Sequence, residues 1–298
     1  MLCCGGAFAQ GINGINPDQW KKAVVKIESI QQRYTSAQVD MLLHQQVDTI
    51  KRLSQHEMYS RLDDLVNIKD TIRGTGILVA DGTKIYLITA KHLIKATEKL
   101  TNGLETINDL LSIKSVVNNK KSNDISLMNL ATNDVPARPF IFSDDQNDIG
   151  IISFQKIGYK SIVAYIKQMG CIPVPIQLID NLNNMNTNDA LFTIGFPAIP
   201  GNESNNPVVA NGKIASYNKS AINFTADLTV YPGNSGGPVI KNNKLIGVLS
   251  YQKGIKNNID AAMHPYDKAN SATVTKASYI IPLLKKLQQN EKNPGFNK

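Results

Sequence analysis

The stretch Tyr231-Pro232-Gly233-Asn234-Ser235-Gly236-Gly237-Pro238-Val239 constrains this chain more than any other. A serine set among three glycines has no bulky neighbours to hold it, so the backbone fixes its position. Glycine permits the tight turn and the close approach of another group that such a position needs. Ser235 is therefore a candidate nucleophile. On turn chemistry alone, Gly-Asn-Ser-Gly also reads as a hairpin turn. Strands stand on both sides: residues 224–230 (Phe-Thr-Ala-Asp-Leu-Thr-Val) before it, and Lys244-Leu245-Ile246-Gly247-Val248-Leu249-Ser250-Tyr251 after a short polar turn.

A second signal lies upstream. Gly74-Thr75-Gly76-Ile77-Leu78-Val79-Ala80, a turn at Asp81-Gly82-Thr83, and Ile85-Tyr86-Leu87-Ile88-Thr89-Ala90-Lys91-His92 read as a β-hairpin whose second strand runs into His92. By itself a histidine at a strand end is an ordinary polar residue. The whole string, Gly-Thr-Gly-x-Leu-Val followed by Leu-x-Thr-Ala-x-His, resembles the first-barrel signature of the trypsin-like (chymotrypsin-fold) serine peptidases. The Gly-Asn-Ser-Gly-Gly-Pro-Val string resembles their nucleophile loop, and the two stand in that family's order. The resemblance spans residues 20–285. It implies an all-β, chymotrypsin-like fold of two six-stranded antiparallel β-barrels, the first over residues 20–155 and the second over 185–285. It also implies a serine endopeptidase acting on polypeptides through an acyl-enzyme, without cofactor or metal.

A histidine base needs a carboxylate to fix its tautomer and stabilise the imidazolium that forms when serine gives up its proton. Two strings offer one in the same local setting: Asn123-Asp124-Ile125-Ser126-Leu127-Met128 and Asn147-Asp148-Ile149-Gly150-Ile151-Ile152. Each puts Asp just before an apolar strand, as the family's Asp-Ile-Ala-Leu-Leu-like motif does. The residues downstream of Asp148 favour it. Residues 149–154 can close the first barrel, and a linker then leads to Asp189-Ala190-Leu191-Phe192-Thr193-Ile194-Gly195-Phe196-Pro197. That string resembles the family's early second-barrel strand. Asp124 stands as the alternative acid.

Carried onto these positions, the resemblance implies that Ser235 attacks a carbonyl carbon while His92 takes its proton, and that the backbone amides of Gly233 and Ser235 form the oxyanion hole. Ser250, Tyr251 and Gln252 fall on the strand that pairs with substrate, and Gln252 replaces a frequent glycine. Thr229 occupies the pocket-base position, where an acid would select Lys or Arg, so a small or medium neutral side chain is expected before the cut. Asn234 stands where many animal members carry an Asp that pairs with a freed N-terminus. In this the chain looks like the bacterial and viral-type members, and like bacterial trypsin-like peptidase domains in particular. The competing reading is a catalytically silent relative that uses the fold to bind or adhere to a protein.

The rest of the chain is less specific. Residues 20–28 suggest a strand. Apolar residues at three- and four-residue spacing over 31–68 argue an N-terminal helical insertion. His44 and His56 within it read as helix-surface histidines and His264 as a surface residue of a loop, and no metal site is expected of them. Residues 254–276 are polar and read as loop, Tyr279 onward as a last strand passing into a C-terminal helix from Pro282, and residues 290–298 as a disordered tail. The formal charge of +8 comes from scattered lysines without a basic stripe, so nucleic acid is not an expected partner. No apolar run approaches the ~20 residues of a membrane span. Residues 1–9 end in Ala7-Phe8-Ala9, the small-x-small pattern of signal-peptide cleavage, although they lack a basic n-region. Read as a short signal, they imply a secreted or periplasmic protein. Removing them takes away two of the three cysteines and leaves Cys171 without an internal disulfide partner.

Overall fold

A computed structural model of the chain describes residues 17–32, 57, 69–99, 105–107, 110–114, 125–128, 139–144, 147–156, 159–181, 184–199, 206–250 and 269–296. The signal-like residues 1–9, Asp124, Tyr251, Gln252, all histidines but His92, and all of the expected helical insertion except residues 31–32 and 57 lie outside that set. Residues 31–32 end a strand, and the insertion therefore leaves from the tip of a long hairpin. Its arms are β1 (Val24–Gln32) and β2 (Lys69–Asp81), antiparallel from Val24↔Ile77 to Gln32↔Lys69.

The first sheet continues with β3 (Lys84–Thr89), β6 (Leu110–Lys114), β7 (Ile125–Met128), β8 (Phe140–Phe142) and β9 (Gly150–Ser153), in the order β7-β6-β1-β2-β3-β9-β8. A short β10 (Val174–Pro175) adds to β2 in parallel. Two further strands, β4 (Lys95–Lys99) and β5 (Glu105–Ile107), pair with each other. The second unit is a closed barrel of β11 (Ala190–Gly195), β12 (Val208–Ser216), β13 (Asn223–Val230), β16 (Ala269–Lys276), β15 (Lys244–Leu249) and β14 (Pro238–Lys241).

The apolar runs of the first hairpin arise from burial on both faces. Along β2 and β3, Leu78, Ile85 and Leu87 turn into the first unit's own core with Val25, Ile27, Ile152 and Phe154. Their neighbours Ile77, Val79, Tyr86 and Ile88 point the other way, into a core shared with Ile194, Phe196, Ile240 and Val248 of the second unit. Each such Leu or Ile contributes about 1.5–3 kcal/mol. The two units are therefore joined by a true core, and a site between them has firm walls.

The bounds and types of several elements differ from expectation. Residues 17–23 form a helix, α1, where a strand was expected from Trp20. Pro17 opens it, Asp18 and Lys21–Lys22 suit its two ends, and the β-branched run begins only at Val24. The linker after residue 155 holds α2 (Lys160–Gln168), whose Ile162 and Ile166 cover the first core. Residues 269–276, expected as loop, are β16. Its inward residues Ala272 and Val274 are small, so polar neighbours mask the alternation. The segment expected to begin a strand at Tyr279 is a 3-10 turn (Ala277–Tyr279) leading into α3 (Ile280–Asn290), with Pro282 inside its first turn.

Of the tail expected to be disordered, residues 290–296 are described, and Asn290 ends α3. Ile280, Leu283, Leu284 and Leu287 bury one stripe of α3 in the shared core. Just beyond it, Glu291 receives Lys84 Nζ at 2.7 Å and Ser153 Oγ at 2.7 Å, and Phe296 is 1% exposed. Among the described residues no helix is long and apolar enough to cross a membrane.

Candidate active site

Strand β3 ends at Thr89, and extended Ala90 passes the chain into a 3-10 turn (Lys91–Leu93) closed by Ile94 N–H to Lys91 O. Leu93, 1% exposed, anchors the turn, so His92 is held from below. Asp148 reaches it from the turn before β9. The His92 amide donates to Asp148 Oδ1 at 3.0 Å, and His92 Nδ1 lies 2.7 Å from Asp148 Oδ2. With the carboxylate as acceptor, Nδ1 carries the hydrogen and Nε2 is left with its lone pair.

The turn that presents Asp148 is itself cross-braced. Ser143 Oγ donates to Asn147 O at 2.6 Å and accepts from the Ile149 amide at 3.1 Å, while Asn147 Nδ2 bonds Asp144 Oδ1 at 2.9 Å. Lys91 Nζ ties the histidine turn to it through Asp144 O at 3.0 Å. Strand β7, next in the chain after the alternative acid Asp124, lies at the far edge of the sheet, with β6, β1 and β2 between it and β3.

Ser250, at the end of β15, donates its hydroxyl to Asp148 Oδ2 at 2.7 Å and its amide to Thr273 O at 2.9 Å. Sequence placed Ser250 only on the substrate-binding strand. A serine at a strand end gives no advance sign that it faces a carboxylate in the other barrel. Burial pushes the Asp148 carboxyl upward, but the hydrogen bond and charge of His92, the Ser250 hydroxyl and the His92 amide outweigh it. Together they bring its pKa to about 2. The carboxylate stays ionised.

Ser235 comes from the loop between β13 and β14. Two of its glycines are required by geometry. Gly233 has φ of +95° and Gly236 of +83°. A Cβ on Gly233 would stand 2.4 Å from Phe196 O, and one on Gly236 would stand 2.1 Å from Thr75 O, 2.3 Å from Thr89 Oγ1 and 2.9 Å from Ala90 N. The residue after Ser235 thus sits against the end of β3, immediately ahead of the His92 turn. The loop is fastened to β15 by Gly236 N–H to Leu249 O at 2.7 Å and Leu249 N–H to Gly237 O at 2.9 Å.

The two peptide groups that carry the Gly233 and Ser235 amides are fixed through their carbonyls. Pro232 O accepts from Ala198 N at 2.7 Å, and Asn234 O accepts from Gly237 N at 2.9 Å. In a trans peptide the N–H points opposite its C=O, so both amides are aimed away from those bonds. Among the described residues neither has an acceptor. Donors fixed in this way are what an oxyanion needs.

Of the residues expected at a site, the structure brings His92, Asp148 and Ser250 into one hydrogen-bonded chain. It sets the Ser235 loop beside the segment that leads to His92. Thr229 is exposed on the outer face of β13 and takes no part in that chain. Thr75, given no role of its own within the Gly-Thr-Gly string, is fully buried and binds the Ser235 loop from the first barrel. Its signal was a lone hydroxyl between two glycines at the start of an apolar strand.

A closed barrel packed on a second sheet, with His and Asp at the edge of one and a glycine-bounded serine on the other, is a chymotrypsin-like arrangement. The family model described as the trypsin-like peptidase domain matches residues 74–248, more than half of the chain, and the protein belongs to that family. Among solved structures, the fold is similar to that of a thermostable serine protease from an extremophilic microorganism, at 10% identity and a TM-score of 0.54, covering 93% of this chain and 100% of the other. It is also similar to the protease Anisep from Arthrobacter nicotinovorans, at 11% identity and a TM-score of 0.50, covering 89% of this chain and 95% of the other.

Proposed function

We propose that the protein is a serine endopeptidase in which Ser235, His92 and Asp148 carry the reaction. The observation that supports this most strongly is the paired hydrogen bond by which Asp148 holds both the amide and the ring of His92. It fixes the tautomer in which Nε2 accepts a proton. His92 Nε2 takes the proton of Ser235 as Oγ bonds to the substrate carbonyl carbon. The oxygen gains negative charge, which the Gly233 and Ser235 amides receive, and the ionised Asp148 steadies the imidazolium. The imidazolium then protonates the departing amine, leaving an acyl group on Ser235. Water attacks that ester by the same route and restores the serine.

The small-x-small string at Ala7-Phe8-Ala9 supports export of the chain, and N-terminal sequencing of protein released from cells should then begin at Gln10. The functional reading is tested by incubating the protein with a mixed peptide library and reading new termini by mass spectrometry. Wild type cleaves, and Ser235→Ala does not. A folded wild type that leaves the library intact contradicts the reading and favours a binding role for the fold.

A further inference from the structure

We infer that Thr75 is a positioning residue for this reaction, holding the oxyanion-binding amides in register from the opposite barrel; the inference rests on the hydrolytic reading above. Thr75 lies on β2, with no exposed surface, and every polar atom it has is committed at the junction. Its hydroxyl donates to Gly233 O at 2.7 Å and accepts from the Phe196 amide at 3.0 Å. Its own amide donates to Ser235 O at 2.8 Å. Its carbonyl accepts the Thr89 hydroxyl at 2.6 Å. A hydroxyl has one hydrogen to give, and here it is given to the nucleophile loop.

The two loop carbonyls that Thr75 holds belong to the peptide groups on either side of the Asn234–Ser235 peptide, whose N–H is one of the two oxyanion donors. Fixing Gly233 O and Ser235 O pins the planes before and after that donor. Through Phe196, the same hydroxyl bears on the segment that reaches Ala198, whose amide holds Pro232 O and thereby aims the Gly233 donor. Both donors are thus referred to one threonine. Asn234, the residue between them, is 4% exposed, and among the described residues its buried Oδ1 has no hydrogen-bond partner.

A residue that sets the oxyanion donors should affect the chemical step more than ground-state binding, since the negative charge is present only at the transition state. Thr75→Val keeps the shape and removes the hydroxyl, while Thr75→Ser keeps it. The test measures kcat and KM on the fluorogenic peptide best cleaved by wild type, with rates of labelling by a fluorophosphonate and circular dichroism as a check on folding. Thr75→Val is expected to lose about 10–100-fold in kcat and in labelling rate, with KM within about threefold, and Thr75→Ser to recover to within about threefold of wild type. A folded Thr75→Val with wild-type kcat, or one whose loss is all in KM, overturns the inference. If Thr75→Val does not fold, Thr89→Val, which releases Thr75 O, is read by the same criteria. A wild type that neither cleaves nor labels overturns the hydrolase reading itself, and this inference with it.

Discussion

Ser250 and Asp148 meet across the junction of the two barrels, the hydroxyl of one donating to Oδ2 of the other at 2.7 Å, on the same oxygen that faces His92 Nδ1. The carboxylate is therefore held from both sides. Ser250→Ala removes a hydrogen bond to a charged acceptor, worth about 1.5–3 kcal/mol, and frees Oδ2 to move off the ring. We expect kcat to fall by about tenfold in steady-state assays while the fold is retained.

Asp148→Asn replaces the acceptor of the Nδ1 hydrogen with a group that can favour the opposite tautomer. Peptidase turnover should drop by about 10³–10⁴-fold. Asp124→Asn, by contrast, should stay within about threefold of wild type. The same kinetic assay on both variants separates the two acids, and the reverse result would move the assignment to Asp124.

The depressed pKa of Asp148 also predicts a stability profile. The group titrates at about 2 in the folded protein, against 3.8 ordinarily, so folding favours its ionised form. The contribution, about 2 kcal/mol, is fully present above about pH 4 and is lost as the pH falls through 2. Urea unfolding of wild type and Asp148→Asn should differ most at neutral pH and converge toward pH 2. A difference that does not change with pH would contradict this.

Two glycines with left-handed backbones should respond differently to alanine. Gly236→Ala places a methyl carbon 2.1 Å from Thr75 O, whereas at Gly82, with φ of +60°, nothing lies within 4 Å. Gly82→Ala should cost only the conformational strain, about 1 kcal/mol, read as a small fall in Tm. Gly236→Ala must also push the two barrels apart, so its loss of Tm should be several times larger, with loss of activity.

Glu291 links the end of α3 to the first sheet through Lys84 and Ser153, with its side chain only 5% exposed. Glu291→Ala leaves the Ser153 hydroxyl without its acceptor and should cost about 1–3 kcal/mol by thermal unfolding. It lies away from the His92 turn, and kcat should be unchanged.

The parts of this molecule that were readable in advance are those where local chemistry is unusual. Gly233 and Gly236 are glycines because their backbones are left-handed and because another strand crosses where a side chain would be. That requirement leaves a mark in the sequence. That His92 and Asp148 would meet was suggested because each ends or begins an apolar run, and the structure hydrogen-bonds them. β16 was not, because its inward positions are Ala272 and Val274, too small to stand out among Ser271, Thr273 and Thr275. The arrangement of residues 291–296 was hidden for another reason: Glu291 is held by Lys84 and Ser153 in distant strands and Phe296 is buried, and nothing nearby in sequence announces either. The parts played by Thr75 and Ser250 are likewise tertiary. A hydroxyl in a strand says nothing of which barrel it will bond.

The central claim is that Ser235 is a nucleophile activated by His92. It is tested most directly by treating the folded protein with a fluorophosphonate and locating the adduct by mass spectrometry. The account predicts one adduct per chain, on Ser235, absent in Ser235→Ala and slowed by at least about 10³-fold in His92→Ala. A folded protein with no adduct at Ser235, or one labelled at the same rate without His92, would contradict it.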